Sequence, residues 1–218
     1  MKRRPLQIGE HLPRQLLVEG NDDFHALCQL FGSRKLPENQ FGIKEKNGYP
    51  RLLDTLDTEI DAPGLESLGI VVDADENLQS RWQSLRNRIF ECGYSSIPEE
   101  PNPHGTVIPD PNRPMLGIWI MPDNRLPGIL ENFIAFLVPN RETNILWQHA
   151  AQCVASIPEG HKAFPEVRAP KALLHTWLAW QVEPGKPLGQ AIAARYLDPQ
   201  SETADCFVQW VKRLFELS

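Results

Sequence analysis

The segment "SLGIVVDAD", Ser67–Asp75, constrains the fold more than any other part of the chain. Leu68, Ile70, Val71 and Val72 form a near-continuous apolar run that closes directly on carboxylates. A half-exposed strand alternates apolar and polar residues. A run without alternation belongs to a strand buried on both faces, as in a parallel sheet covered by helices. "MLGIWIMP" is a second such run, ended by Pro122, and Gln15–Glu19 is a shorter one that leads into Gly20. Gln40–Lys46 alternates weakly and is expected as a further strand. Between these strands the spacing turns helical. Asp22–Gly32 sets Phe24, Ala26, Leu27, Leu30 and Phe31 on one side, and Arg51–Ile60 repeats Leu52, Leu53, Leu56 and Ile60. Asn77–Cys92 carries Leu78, Trp82, Leu85, Ile89 and Phe90.

Strand and helix alternate from Gln15 to Val138. That predicts an α/β fold with a mostly parallel central sheet flanked by helices and joined by right-handed crossovers. Residues 1–140 are expected to form this core. Residues 141–218 are expected as a helical C-terminal region packed on it in one compact unit. Helices are predicted over Gly128–Val138, Ile145–Ala155, Lys171–Trp180, Leu188–Ala194 and Ala204–Phe215. Of the twenty prolines, thirteen gather between Ile97 and Pro127 and between Pro158 and Pro187, so loops and short elements are expected there.

Composition excludes several classes. No apolar run approaches ~20 residues, so no membrane span is expected, and the basic start "MKRRPLQIGEHLPRQ" lacks a hydrophobic signal core. Cys28, Cys92, Cys153 and Cys206 are far apart, with no C-x-x-C pair. Reduced thiols and a cytoplasmic location are the expectation. The net charge of −6 argues against a protein that simply coats phosphates. Carboxylates gathered around a metal ion reverse that sign locally.

In an open α/β sheet, ligands bind at the carboxyl ends of the strands. Glu19 and Asp73 occupy those positions, with Asp22, Asp23 and Asp75 beside them. Helix capping accounts for Asp22, because Asp and Asn are favoured at and just after a helix start. It gives no reason for Glu19 to close a buried strand. Asp73 and Asp75, two apart in extended chain, are expected to point to the same side. Such carboxylates repel one another unless a cation lies between them, and Mg²⁺ favours a few carboxylates with retained waters.

"LLVEGNDD", a helix, and then "IVVDAD" together resemble a TOPRIM domain, the catalytic module of topoisomerases, primases and the overcoming-lysogenization-defect nucleases. The resemblance covers roughly Arg14 to Val138 and rests on Glu19, Gly20, Asp73 and Asp75. "MPDNRLPGILENFIAFLV" is similar to the later acidic motif of the nuclease branch and puts Glu131 at its glutamate, with Asp123 as a second candidate. Lys171, in "APKALLHTW", matches the lysine of that branch. The whole pattern, with "GIWIMPDN", "LENF" and "HTWLAWQ", most resembles stand-alone bacterial TOPRIM-related proteins of no established activity.

The resemblance implies a Rossmann-like TOPRIM fold and Mg²⁺- or Mn²⁺-dependent cleavage of phosphodiesters in DNA or RNA. It implies Glu19, Asp23, Asp73, Asp75 and Glu131 as metal ligands, and Glu19, Asp73 and Lys171 as catalytic residues. Asp23 is expected on the rim. Arg81 and Arg88, on the helix after the D-x-D, are candidates for phosphate contact. A non-catalytic binding or regulatory module working with a separate ATPase remains open beside this reading. A phosphatase of the D-x-D type ranks last, since its nucleophile follows the first strand. No P-loop, no zinc ligand set of a primase and no topoisomerase tyrosine setting is present. The six tryptophans fall in apolar periodic segments and are expected chiefly in the core.

Overall fold

A six-stranded sheet organises the computed structural model, which describes residues 6–37, 39–158 and 160–217. The strands are β1 (Gln7–Ile8), β2 (Arg14–Val18), β3 (Gly42–Glu45), β4 (Ser67–Asp73), β5 (Thr106–Ile108) and β6 (Met115–Met121). Their order across the sheet is β1-β3-β2-β4-β6-β5. The sheet is mixed. β3, β2, β4 and β6 run parallel to one another, and the short edge strands β1 and β5 pair antiparallel to β3 and β6. The apolar runs Leu16–Val18 and Leu68–Val72 lie side by side in β2 and β4, with Val18 opposite Val71.

Successive side chains of each central strand feed opposite faces, as the strand period of two requires. Leu17, Ile70, Val72, Ile118 and Ile120 pack on one side with Trp82, Leu85 and Ile89. These last belong to α4 (Leu78–Glu91), next to α2 (Tyr49–Asp54) and α3 (Leu56–Ile60). Leu16, Val18, Val71, Trp119 and Met121 pack on the other side. There they meet α1 (Asn21–Ser33), α5 (Leu130–Ala135) and the later helices α6 (Ile145–Ala155), α7 (Ala169–Leu178), α8 (Leu188–Ala193) and α9 (Glu202–Phe215).

The C-terminal helices therefore complete one face of the sheet. α9 buries Phe207, Trp210, Val211, Leu214 and Phe215. Gly69 and Gly117, paired across β4 and β6, leave the room for it: a Cβ on Gly117 would stand 2.3 Å from Leu214 Cδ2. Trp82, Trp119, Trp177 and Trp210 are buried, Trp147 is half-buried, and Trp180 is 37% exposed.

Two expected helices differ in extent. Arg51–Ile60 divides into α2 and α3 at Thr55, whose hydroxyl donates to the Arg51 carbonyl at 2.9 Å. That bond competes with continuation of the helix. The segment predicted over Gly128–Val138 is helical only at Leu130–Ala135. Gly128 is drawn off into backbone pairing with Asp75, and residues 136–138 continue in tighter i→i+3 turns.

Candidate carboxylate site

The site begins where β2 and β4 end. Both strands are buried and parallel, so their carboxyl ends deliver Glu19 and Asp73 to the same edge of the sheet. Glu19 Oε1 accepts from the Asp73 backbone N–H at 2.8 Å. The chain then turns into α1, and its first turn presents Asp22 and Asp23. Asp23 Oδ2 reaches back to accept from the Gly20 N–H at 3.2 Å. This is the N3 half of a capping box. The capping carboxylate is thus Asp23 and not Asp22, and Asp23 lies inside the site at 7% exposure rather than on its rim.

Glu131, in the first turn of α5, is 4% exposed. Lys171 Nζ from α7 lies 2.8 Å from Glu131 Oε1 and 3.2 Å from Asp22 Oδ2. It ties together the first turns of α1 and α5. Sequence reasoning set Asp22 aside as a cap; its bond to Lys171 joins residues far apart in the chain and leaves no local pattern.

Asp75 departs from the extended geometry expected of a D-x-D. Its backbone is left-handed, with φ +52°, and it exchanges two backbone hydrogen bonds with Gly128, at 2.9 and 2.8 Å. Its side chain is half-exposed and pairs with Arg81. The Arg81 guanidinium also lies 3.7 Å from the centre of the Tyr49 ring. Arg81, Asp75, Tyr49 and Ser80 help line an open cleft of about 460 Å³ beside the carboxylates. Tyr49 did not stand out in the sequence, because an isolated tyrosine has no periodic signal.

Arg88 lies elsewhere. It donates to the Leu53 carbonyl at 2.9 Å and pairs with Asp57 at 3.2 Å, holding α4 to α2 and α3. Asp123 Oδ1 accepts from the Arg125 and Leu126 amides in a turn after β6.

Burial and like charge act together on the cluster. Burial raises the Asp23 pKa from an ordinary 3.8 to about 7, with the charges of Glu19 and Glu131 adding to the rise. Burial likewise pushes Asp73 well above 3.8, reinforced by Asp23, Glu19, Glu131 and Asp75. Glu19 is raised by burial and partly relieved by the Asp73 amide. Burial opposes the charge on Lys171, yet the bond to Glu131 leaves its pKa raised. Asp23 Oδ1 and Asp73 Oδ1 are buried without a hydrogen-bond partner. Among the described residues, no three His, Cys, Asp or Glu side chains stand in metal-chelating positions. No helix among them is long and apolar enough to cross a membrane.

No curated protein and no solved structure matches the chain. The family model described as "protein of unknown function (DUF3226)" matches residues 13–216, from the threshold of β2 to the residue after α9. The chain therefore belongs to the DUF3226 family.

Proposed function

We propose that this protein is a TOPRIM-type, Mg²⁺- or Mn²⁺-dependent enzyme that cleaves phosphodiesters in nucleic acid. The observation that carries the proposal is the pair of buried carboxylate oxygens, Asp23 Oδ1 and Asp73 Oδ1, left without partners among like charges. A buried polar atom without a partner costs roughly 1–3 kcal/mol, and more when charged. The donors are all hard carboxylate oxygens, which suits Mg²⁺ or Mn²⁺. Asp23, Asp73, Glu19 and Glu131 would hold the ion only after their side chains shift, because no three of them stand in chelating positions here, and Asp75 would join once it is released from Arg81. When bound, such an ion polarises a phosphoryl oxygen and lowers the pKa of a water.

The chain's own groups supply the rest. Glu19, fixed by the Asp73 amide and raised in pKa by burial, is suited to act as the general base where it does not ligate the ion. Lys171 offsets charge that develops on the phosphate. Arg81, stacked on Tyr49 at the mouth of the cleft, offers a phosphate contact.

A specific observation also favours the second reading, a non-catalytic module that works with a separate ATPase. Lys171 and Arg81 already neutralise Glu131 and Asp75, so the protein supplies cations of its own.

Calorimetric titration with Mg²⁺ and Mn²⁺, run beside cleavage assays on single- and double-stranded DNA and RNA, separates the two. The expected result is divalent-ion binding and cleavage that falls with added salt, because on a chain of net charge −6 the attraction for phosphate has to come from the bound ion, Lys171 and Arg81. Both should be lost in Asp73→Ala. Wild-type protein that binds neither ion and cuts no substrate establishes the binding module instead.

A further inference from the structure

We propose that the cleft between α5, α6 and the start of α7 binds a small amphipathic organic anion: an apolar body carrying one carboxylate, sulfonate or phosphate. Between Ile145 and Ala155, α6 has no Asp, Glu, Lys or Arg, and Ala150 is its one buried residue. A surface helix normally turns a charged face to water. Here the uncharged helix borders a cleft of about 610 Å³. Small-molecule sites span roughly 300–1,000 Å³ and combine apolar walls with a few polar groups.

Phe136, Trp147, Ala151, Val154 and Leu173 provide the apolar lining. Arg141 and Lys162 provide positive charge, against the single carboxylate of Glu166 on the lining. The Arg141 guanidinium sits 4.9 Å from the centre of the Phe136 ring and has no ion-pair partner among the described residues. Lys162 has only Glu166, at a loose 3.9 Å, and that carboxylate side chain is 84% exposed. An apolar cleft flanked by two weakly engaged cations selects an anion with an apolar body. The net positive lining disfavours a cationic ligand, and a purely apolar one leaves the charges unused.

The cleft does not depend on the phosphodiester reading. It adjoins that site through shared helices: Asn132 follows Glu131 on α5, and Pro170 precedes Lys171 on α7. An occupant therefore touches both helices that the Glu131–Lys171 bond joins.

The test uses 8-anilinonaphthalene-1-sulfonate as the anionic probe and N-phenyl-1-naphthylamine as its uncharged counterpart, both followed by fluorescence titration. Wild-type protein should bind the sulfonate saturably at one site, and the amine about tenfold more weakly, as expected for loss of a charge-assisted contact. R141Q should weaken the sulfonate by a similar factor and leave the amine unchanged. A151F, which fills the cleft, should abolish both, with circular dichroism and Tm confirming that it folds. If A151F does not fold, the surface variant R141Q carries the test alone. Failure of wild type to bind the sulfonate, equal affinity for the two probes, or indifference to R141Q overturns the proposal. None of these outcomes depends on cleavage or on metal.

Discussion

Asp23 and Asp22 are neighbours in the first turn of one helix, yet they do opposite things. Asp23 points inward, caps Gly20 and is raised to about 7 by burial. Asp22 points outward to Lys171. The raised pKa of Asp23 has a consequence for stability. The native state holds a proton that the unfolded chain releases above about pH 4. Stability contributed by Asp23 is therefore present below about pH 4 and lost as pH rises to about 7. A shift from 3.8 to about 7 sets an upper bound of roughly 4 kcal/mol on that loss. In EDTA, the Tm of wild type should fall more steeply between about pH 4 and pH 7 than that of Asp23→Asn. The asparagine keeps an oxygen for Gly20 but cannot ionise. Parallel Tm curves for the two proteins would show that Asp23 does not titrate in this range.

At the scale of elements, closure of this face of the sheet depends on how α9 seats against β4 and β6. Leu214 occupies the space above Gly117 and Gly69. Gly117→Ala places a methyl group 2.3 Å from Leu214 Cδ2, so α9 or the Leu214 rotamer must move. Overpacking of this kind costs about 1–3 kcal/mol. Leu214→Ala removes the obstacle, so the same glycine substitution should cost less in that background. Urea denaturation of the four proteins in the cycle measures the coupling. Strictly additive losses would mean that Leu214 does not exclude a Cβ at position 117.

The whole molecule divides its core unequally. The face of the sheet that carries Trp119 is closed by α1 and α5 together with α7, α8 and α9, and α8 packs directly on α1. A chain ended at Asn140 loses α9 from β4 and β6 and leaves Leu16, Val71 and Trp119 open to water. Each large apolar side chain returned to solvent forfeits roughly 1.5–3 kcal/mol. Against a total stability of about 5–15 kcal/mol, a few such losses are decisive. The truncated chain should show no cooperative thermal transition and strong dye binding to exposed apolar surface. A sharp transition near that of the full chain would establish residues 6–140 as an independent folding unit.

Which strands are buried, and where their carboxylates emerge, is legible in short runs of neighbouring residues. "LLVEG" and "IVVDAD" are local runs, and a run of buried residues can sit only in the middle of a covered sheet. Glu19 and Asp73 followed directly, because both close such runs. The helices of the last third were legible for the same reason, through the spacing of Leu174, Trp177, Leu188, Ile192, Phe207 and Leu214. Other features arise from contacts between segments far apart in the chain. The pairing of Lys171 with Asp22 joins residues 149 apart, and no local pattern encodes it. The turn at Asp75 comes from backbone bonds to Gly128, which overrode the extended geometry suggested by D-x-D. Burial of Asp23 depends on how α1 lies against the sheet edge, since its own helix would allow the first turn to face water. Strand burial is written in neighbouring residues; the partner and protonation of each carboxylate depend on distant ones, and these appear only when the chain has closed.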